Sequence, residues 1–447
     1  MGSVDHLIGA WRAHLDASGV RRPDIEEMEA HLRDRIADLV AAGLSGEEAL
    51  LVALRRLGAV DGPTRRFAGD HGDLLWGQDL QGGETPAPQA GRLIEAVVAA
   101  GLAGLAVQLV WLFGLRPEDP DWGIFMRRNG ALVVLPFLVW FLGRRHGFTL
   151  RFAAAAAAPL VIAAVVVNSY PWSEGSSTEL LAVLHLPVAI WFVVGYAHSG
   201  GGWRSAARRM AFVRFSGEWL ISYVLIALGG GVLLALTGLI LTPVSGELAE
   251  GVVEWVVVSG AAGAVIVAAW LVEAKKSVVE NIAPVLTRIF TPLFAVMLVG
   301  AAVAYVISGP GDGFDRDLLV VLDALLVVIL GLVVYGMSAS DSVRPPDWFD
   351  RTQLVAVVSA LALDLMVLAS LVARVADLGF TPNRVAALGL NLVLLVDLAG
   401  AAWLSIRFLR GRHARASLEH WQTAYLPVIG MWALVVAVLL PPLFGFR

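Results

Sequence analysis

The sequence predicts an all-α protein: a polytopic transmembrane helical bundle of about eleven spans, preceded by a small cytoplasmic three-helix N-terminal domain. Three observations carry that prediction. From Arg92 to Phe446 the chain is a succession of apolar runs, each near the ~20 residues that cross a bilayer as a helix. Over all 447 residues, 57% are hydrophobic and only 16% charged, with a mean hydropathy of +0.73, too little charge to clothe a soluble surface. Before Gly91 the character is opposite, with charged residues set among apolar ones at helical spacing. The chain therefore divides into a soluble helical domain (1–70), a flexible linker (71–91) and a membrane domain (92–447). There is no cysteine, which excludes disulfides, thiolate metal sites and cysteine nucleophiles. The opening MGSVDHLIGAW lacks a basic region followed by an apolar core, so the first membrane helix is expected to direct insertion.

In the N-terminal domain, Asp5 to Ala17 reads as a first helix. A second follows Arg22-Pro23-Asp24, with Ile25, Met28, Leu32, Ile36 and Leu39 on one face. Gly43 is expected to end it, and Ser45 with Glu48 forms a capping box for a third helix closed by Gly58. Arg55, Arg56, Arg65 and Arg66 are either solvated residues or contacts for lipid headgroups. The stretch Asp70 to Gln89, with GGETPAP at its heart, reads as a tether.

The run from Ile25 to Gly58 resembles the permease-prefix domain, a small helical module that precedes membrane permease domains in bacteria. The resemblance implies a cytoplasmic module on a bacterial membrane protein, and it implies no reaction; three short helices bury only a thin core, so the unit is expected to rest on the membrane domain or on a cytoplasmic protein partner.

Spans are expected near 93–113, 124–142, 152–170, 179–198, 218–241, 252–273, 289–308, 318–338, 353–373, 386–406 and 423–443. In the second, Arg127 and Arg128 occupy the first turn and leave Gly130 to Leu142 as clean apolar sequence, which requires the arginines to reach the interface. With every span crossing, one set of loops holds Arg144, Arg145, Arg151, Arg204, Arg208, Arg209, Arg214, Lys275, Lys276, Arg288, Arg344, Arg351, Arg407, Arg410, Arg412 and Arg415. The other set holds Arg116, Arg127, Arg128, Arg316, Arg374 and Arg384. The richer set belongs inside, which puts the N-terminus in the cytoplasm and the C-terminus outside.

Polar groups then fall at hydrocarbon depth: Asp323 early in the eighth span, Asp364 in the ninth, Asp397 in the tenth with Asn391 about two turns before it, and His185 in the fourth. A charge in lipid is costly, so these side chains should face the bundle interior or a water-filled space. Together they form a candidate proton- or cation-coupling site; the alternative is that each locks helices together. Asp364 and Asp397, near mid-span on consecutive helices, are expected to act as a pair. Pro136, Pro159, Pro187, Pro292 and Pro427 lie within or at the ends of spans, and Gly229, Gly230 and Gly231 sit together in the fifth; such residues free backbone groups or permit close helix approach.

Between the ninth and tenth spans, ARVADLGFTPNRVAAL carries Arg374, Leu378, Gly379, Phe380, Thr381, Pro382, Asn383 and Arg384. Thr381 suits a helix N-cap and Pro382 a first turn. Arg374, Thr381, Asn383 and Arg384 are read either as a structural clamp or as a site for an anionic group. With the earlier TRIFTPLFAVMLVGAAVAYVI, this stretch resembles a bacterial multi-span integral membrane family of unknown function, although Leu378 and Val385 stand where aromatics are often found. That resemblance implies a fold neighbourhood and no activity.

No phosphate loop, H-E-x-x-H, G-x-S-x-G or dinucleotide fingerprint occurs, which disfavours an energy-coupling ATPase, a zinc protease and a serine hydrolase. No catalytic residue, cofactor or metal is expected; membrane lipids are the expected contacts, and nucleic acid is not. The leading functional class is a permease or secondary transporter. The alternative is a sensor or scaffold that binds a cytoplasmic partner through its N-terminal domain. A lipid-modifying enzyme would need acids and arginines converging at one membrane face.

Overall fold

The computed structural model describes residues 8–9, 11–12, 22–41, 49–50, 52–54, 89–115, 119–147, 149–243, 245–274, 276–308, 316–338 and 346–447. Contacts divide the chain into two compact units, Met1–Ala87 and Pro88–Arg447.

In the first unit, helix α1 (Arg22–Ala41) turns Ile25, Leu32 and Ile36 inward, the face that its periodicity predicts. They pack on Ile8, Trp11, Ala49, Leu50, Ala53 and Leu54, with Leu39 at the edge. Glu29, at the edge of that inward face with its side chain 18% exposed, accepts from Arg33 one turn later (3.2 Å) and from Arg12 (3.4 Å). The expected cap at Ser45, the stop at Gly43, the four arginines from Arg55 to Arg66 and the tether lie outside the described residues.

The second unit is a helical membrane bundle. Its helices are α2 (Gln89–Leu109), α3 (Pro120–Gly143), α4 (Leu150–Ser169), α5 (Ser177–His198), α6 (Ala206–Leu241), α7 (Gly246–Ala274), α8 (Lys276–Ser308), α9 (Arg316–Ser338), α10 (Trp348–Leu378), α11 (Pro382–Leu409) and α12 (Arg415–Leu434). Among the described residues eleven helices are long and apolar enough to cross a membrane, and they coincide with the eleven expected spans. The second is whole: α3 begins seven residues before Arg127, so the arginines sit two turns inside a longer helix rather than at its start.

Several helices outrun their apolar stretches. Helix α6 starts at Ala206, capped by Ser205, so Arg208, Arg209 and Arg214 belong to a helix and not to a loop. Helix α12 starts at Arg415, which is 2% exposed and therefore also no loop charge. Helix α7 starts at Gly246, six residues before the expected span at 252–273. Pro136, Pro159, Pro187 and Pro427 lie inside continuous helices, and so do Gly229, Gly230 and Gly231, beside which nothing lies within 4 Å of an added Cβ. The triple glycine therefore neither breaks α6 nor admits a close neighbour. Local irregularity falls elsewhere among the described residues: 3-10 turns extend α2 at Val110–Phe113 and α3 at Arg144–His146, and a π turn at Val435–Leu439 continues α12.

Two hydrophobic cores organise the bundle. One draws on α2 to α7, with Ala99, Leu138, Leu142, Val194 and Ile266 at its centre. The other draws on α8 to α12, with Leu298, Leu326, Ala360, Leu363, Leu398 and Ala401. Small residues set the closest approaches, because apolar side chains gain nothing from leaving lipid and helices are held by packing. A Cβ on Gly104 of α2 would come within 3.0 Å of the Ser259 carbonyl of α7, and beside that contact Gln108 donates to the Ser259 hydroxyl (2.8 Å). On α11, Gly389 receives the Trp432 indole and Gly400 the Trp421 indole. Each pair is separated by eleven residues on both helices, about three turns, so the two contacts share one antiparallel register.

Candidate functional site

The intramembrane polar residues fall into two groups on α9 to α12. In the first, the Asn391 side-chain amide on α11 donates to Asp323 Oδ1 on α9 (2.9 Å) and to its own Ala387 carbonyl (2.8 Å). The α10 carboxylate of Asp364 interacts electrostatically with Asp323. Asp364 is 0% exposed, and neither of its carboxylate oxygens has a hydrogen-bond partner among the described residues. Asn391 Oδ1 is equally unmatched. Leu319, Leu322, Val367 and Leu371, on the same two helices as Asp323 and Asp364, form a small buried hydrophobic cluster. Asp323 is half-buried and held by the asparagine, so it does not simply extend to the membrane surface.

In the second group, Asp397 is 1% exposed and accepts from the Trp421 indole at both Oδ1 (3.1 Å) and its own carbonyl (3.2 Å). The Gln422 side chain, buried on the same helix as Trp421, also interacts with this carboxylate. The expected Asp364–Asp397 pair is thus not what the fold assembles. Six residues of helix turn through about 600°, so Asp397 points about 120° away from Asn391, toward α12 rather than α9. Asp364 goes with Asp323, and Asp397 with Trp421.

His185 stands apart, half-buried on α5, with Nδ1 against its own Leu181 carbonyl (2.8 Å).

The Arg374-to-Arg384 turn closes on itself. Gly379 ends α10 with φ +76°, a left-handed conformation that favours glycine. Thr381 caps α11, accepting from the Arg384 amide (3.4 Å), and the Arg384 guanidinium donates back to the Leu378 (2.9 Å) and Gly379 (2.8 Å) carbonyls. Those carbonyls belong to the end of α10, where intrahelical donors run out. Arg384 therefore clamps the two helices. Arg374 and Asn383 are half-buried beside this turn, and Leu378 and Phe380 project outward.

Two further features escaped sequence reasoning. Asp350, in the first turn of α10, accepts from Arg415 at the start of α12 (2.8 Å), both buried, while its other oxygen accepts from the Asp347 amide in a capping box (2.9 Å). Nearby, Arg214 of α6 donates to the Ser338 carbonyl of α9, and Gln353 donates to the Val333 carbonyl (3.0 Å). Only the D-W-F-D capping pattern was visible in sequence; the arginine is 65 residues away.

No protein-family model, curated protein or solved structure matches this chain.

The second feature is a cavity of about 650 Å³, widely open to the surface of the bundle, among α2, α3, α5, α6 and α7, in the half that holds none of the acids above. Trp122, Met126, Pro187, Trp191, Phe192 and Trp219 contribute to its walls. Its volume falls within the range of small-molecule sites.

Proposed function

We propose that this multi-pass membrane protein is a permease-like secondary transporter in which Asp364, beside Asp323 and Asn391, takes up and releases a proton or a cation. The observation that carries the reading is the sealed Asp364 carboxylate without a hydrogen-bond partner among the described residues. A bare charge cannot persist there; the group must carry a proton or hold a cation, and each is a change of state that can be coupled to movement. Asp323 supplies a second carboxylate within electrostatic reach, and Asn391 supplies both a donor and an unmatched acceptor. Asp397, facing α12, is assigned to helix packing in this scheme.

The proposed setting is the bacterial plasma membrane, with the N-terminal unit in the cytoplasm as a permease-prefix-like module and the C-terminus outside. A second reading, a sensor or scaffold working through that module, draws support from the same burial: neither Asp364 nor Asp397 lines the large cavity.

The test is proton or cation flux in vesicles across a pH series for the parent, Asp364→Asn and Asp397→Asn. The Asp364 replacement removes no hydrogen bond among the described residues, so thermal stability should hold while flux is lost. Asp397→Asn should retain flux in proportion to the folded protein. Absence of flux in the parent over a broad cation and substrate screen favours the sensor reading, and full flux in Asp364→Asn removes Asp364 from the mechanism.

A further inference from the structure

We infer that the cavity among α2, α3, α5, α6 and α7 is a binding site for an anionic amphiphile, its acyl chain in the cavity and its acidic headgroup at Arg127. The inference uses none of the residues of the proposed coupling site and stands or falls separately from transport.

The walls determine the tail. Two tryptophans present indole rings whose N–H groups are already engaged: Trp191 donates to the Ser216 hydroxyl (3.0 Å) and Trp219 to the Val265 carbonyl (2.9 Å). What faces the space is ring surface, extended by Tyr223 stacked on Trp219 at 5.3 Å, and by aliphatic residues such as Val134, Val258 and Ala261. Such a surface holds hydrocarbon and offers little to a polar solute. Pro187 of α5 and Gly130 of α3 also line it, and the glycine, with no side chain, keeps the wall slim there.

The mouth determines the head. A second hollow of about 530 Å³ lies on the first turns of α3 and shares Trp122 and Met126 with the cavity; Arg127 lines it. The neighbouring Arg128 is already committed, donating to Glu179 (2.8 Å) and lying over the Trp172 ring. Arg127 is exposed and enters no hydrogen bond or ion pair among the described residues. An uncommitted guanidinium at the end of an apolar trough complements a molecule with one acidic end and a hydrocarbon body. Phospholipids with acidic headgroups and free fatty acids share that chemistry.

The test uses the full-length protein in nanodiscs with tail-diazirine probes: a fatty acid, a phosphatidylglycerol and a phosphatidylcholine of matched chain length. After photolysis, crosslinked residues are mapped by mass spectrometry. The acidic probes should label the stretches around 126–134, 187–192 and 257–265 in preference to the zwitterionic probe, and excess unlabelled acidic lipid should compete. Whichever acidic probe labels more strongly names the source. Arg127→Gln should lower acidic labelling at these stretches about fivefold and leave phosphatidylcholine labelling unchanged, whereas Arg127→Lys should retain most of it. Ala131→Phe, which projects a ring into the cavity, should lower labelling there for every probe; the melting temperature of each variant checks its fold. Equal labelling by acidic and zwitterionic probes, or acidic labelling indifferent to Arg127→Gln in a folded protein, overturns the inference.

Discussion

Buried polar side chains in this bundle differ in what their removal would expose. Arg415 and Asp350 pair through Nη1 and Oδ1 at 1% and 6% side-chain exposure, with Arg415 Nε and Nη2 lacking hydrogen-bond partners among the described residues, so truncating one leaves a charge with no water to solvate it. Arg415→Met should therefore destabilise the fold by about 3–5 kcal/mol. Replacing both, as Asp350→Leu with Arg415→Met, should recover much of that loss, limited by the Asp347 amide that Asp350 also satisfies. Thermal unfolding of the two single variants and the double variant in detergent checks this; equal losses in single and double variants would mean that the ion pair is not what holds α10 to α12. Asp364 is the contrasting case. It has no such partner among the described residues, and that difference separates a residue assigned to a lock from one assigned to exchange.

At the scale of elements, glycines are informative only where something rests on them. Gly400 carries the Trp421 indole, which in turn donates to Asp397, so one contact sets both the spacing of α11 and α12 and the environment of the carboxylate. Gly400→Leu should displace the ring and cost about 1–3 kcal/mol or more, with a visible fall in melting temperature. Gly229→Leu, in the equally glycine-rich α6, has open space around it and should be close to neutral. Similar melting temperatures for the two variants would argue that α11 and α12 are not locked through their tryptophans. The turn that follows α10 belongs to the same scale: Thr381 and Arg384 were readable as a helix start, but the return of Arg384 to the Leu378 and Gly379 carbonyls required the turn to close.

For the whole molecule, the number of crossings and the distribution of basic residues make a joint statement. With each of the eleven membrane-length helices among the described residues crossing once, the two ends of the chain are expected on opposite sides, and the arginine-rich ends of α3, α6 and α11 on the cytoplasmic side. A reporter at the N-terminus should respond inside the cell, and one after Arg447 outside it. Both reporters on one side would require one of the eleven to lie within or along the membrane. The long exposed faces of α6 and α8, with Leu228, Leu239, Val296 and Ile307 turned outward, fit contact with lipid.

Hydropathy is a one-dimensional quantity, and the sequence by itself determined what depends on it: a membrane bundle, the places of its eleven membrane-length helices though not where several of them begin, the amphipathic face of α1, and which polar residues fall within the apolar runs. Which of those residues meet was decided only in three dimensions. Lipid is as apolar as the side chains that could leave it, so the apolar pattern that marks a span says little about its neighbours; those follow from small-residue packing and hydrogen bonds. That is why Asp364 faces α9 and Asp397 faces α12, although both read as mid-span acids on adjacent helices. It is also why Arg415, counted among loop charges in the sequence, is buried against Asp350, and why the tryptophans of α3, α5 and α6, unremarkable along the chain, surround a single cavity.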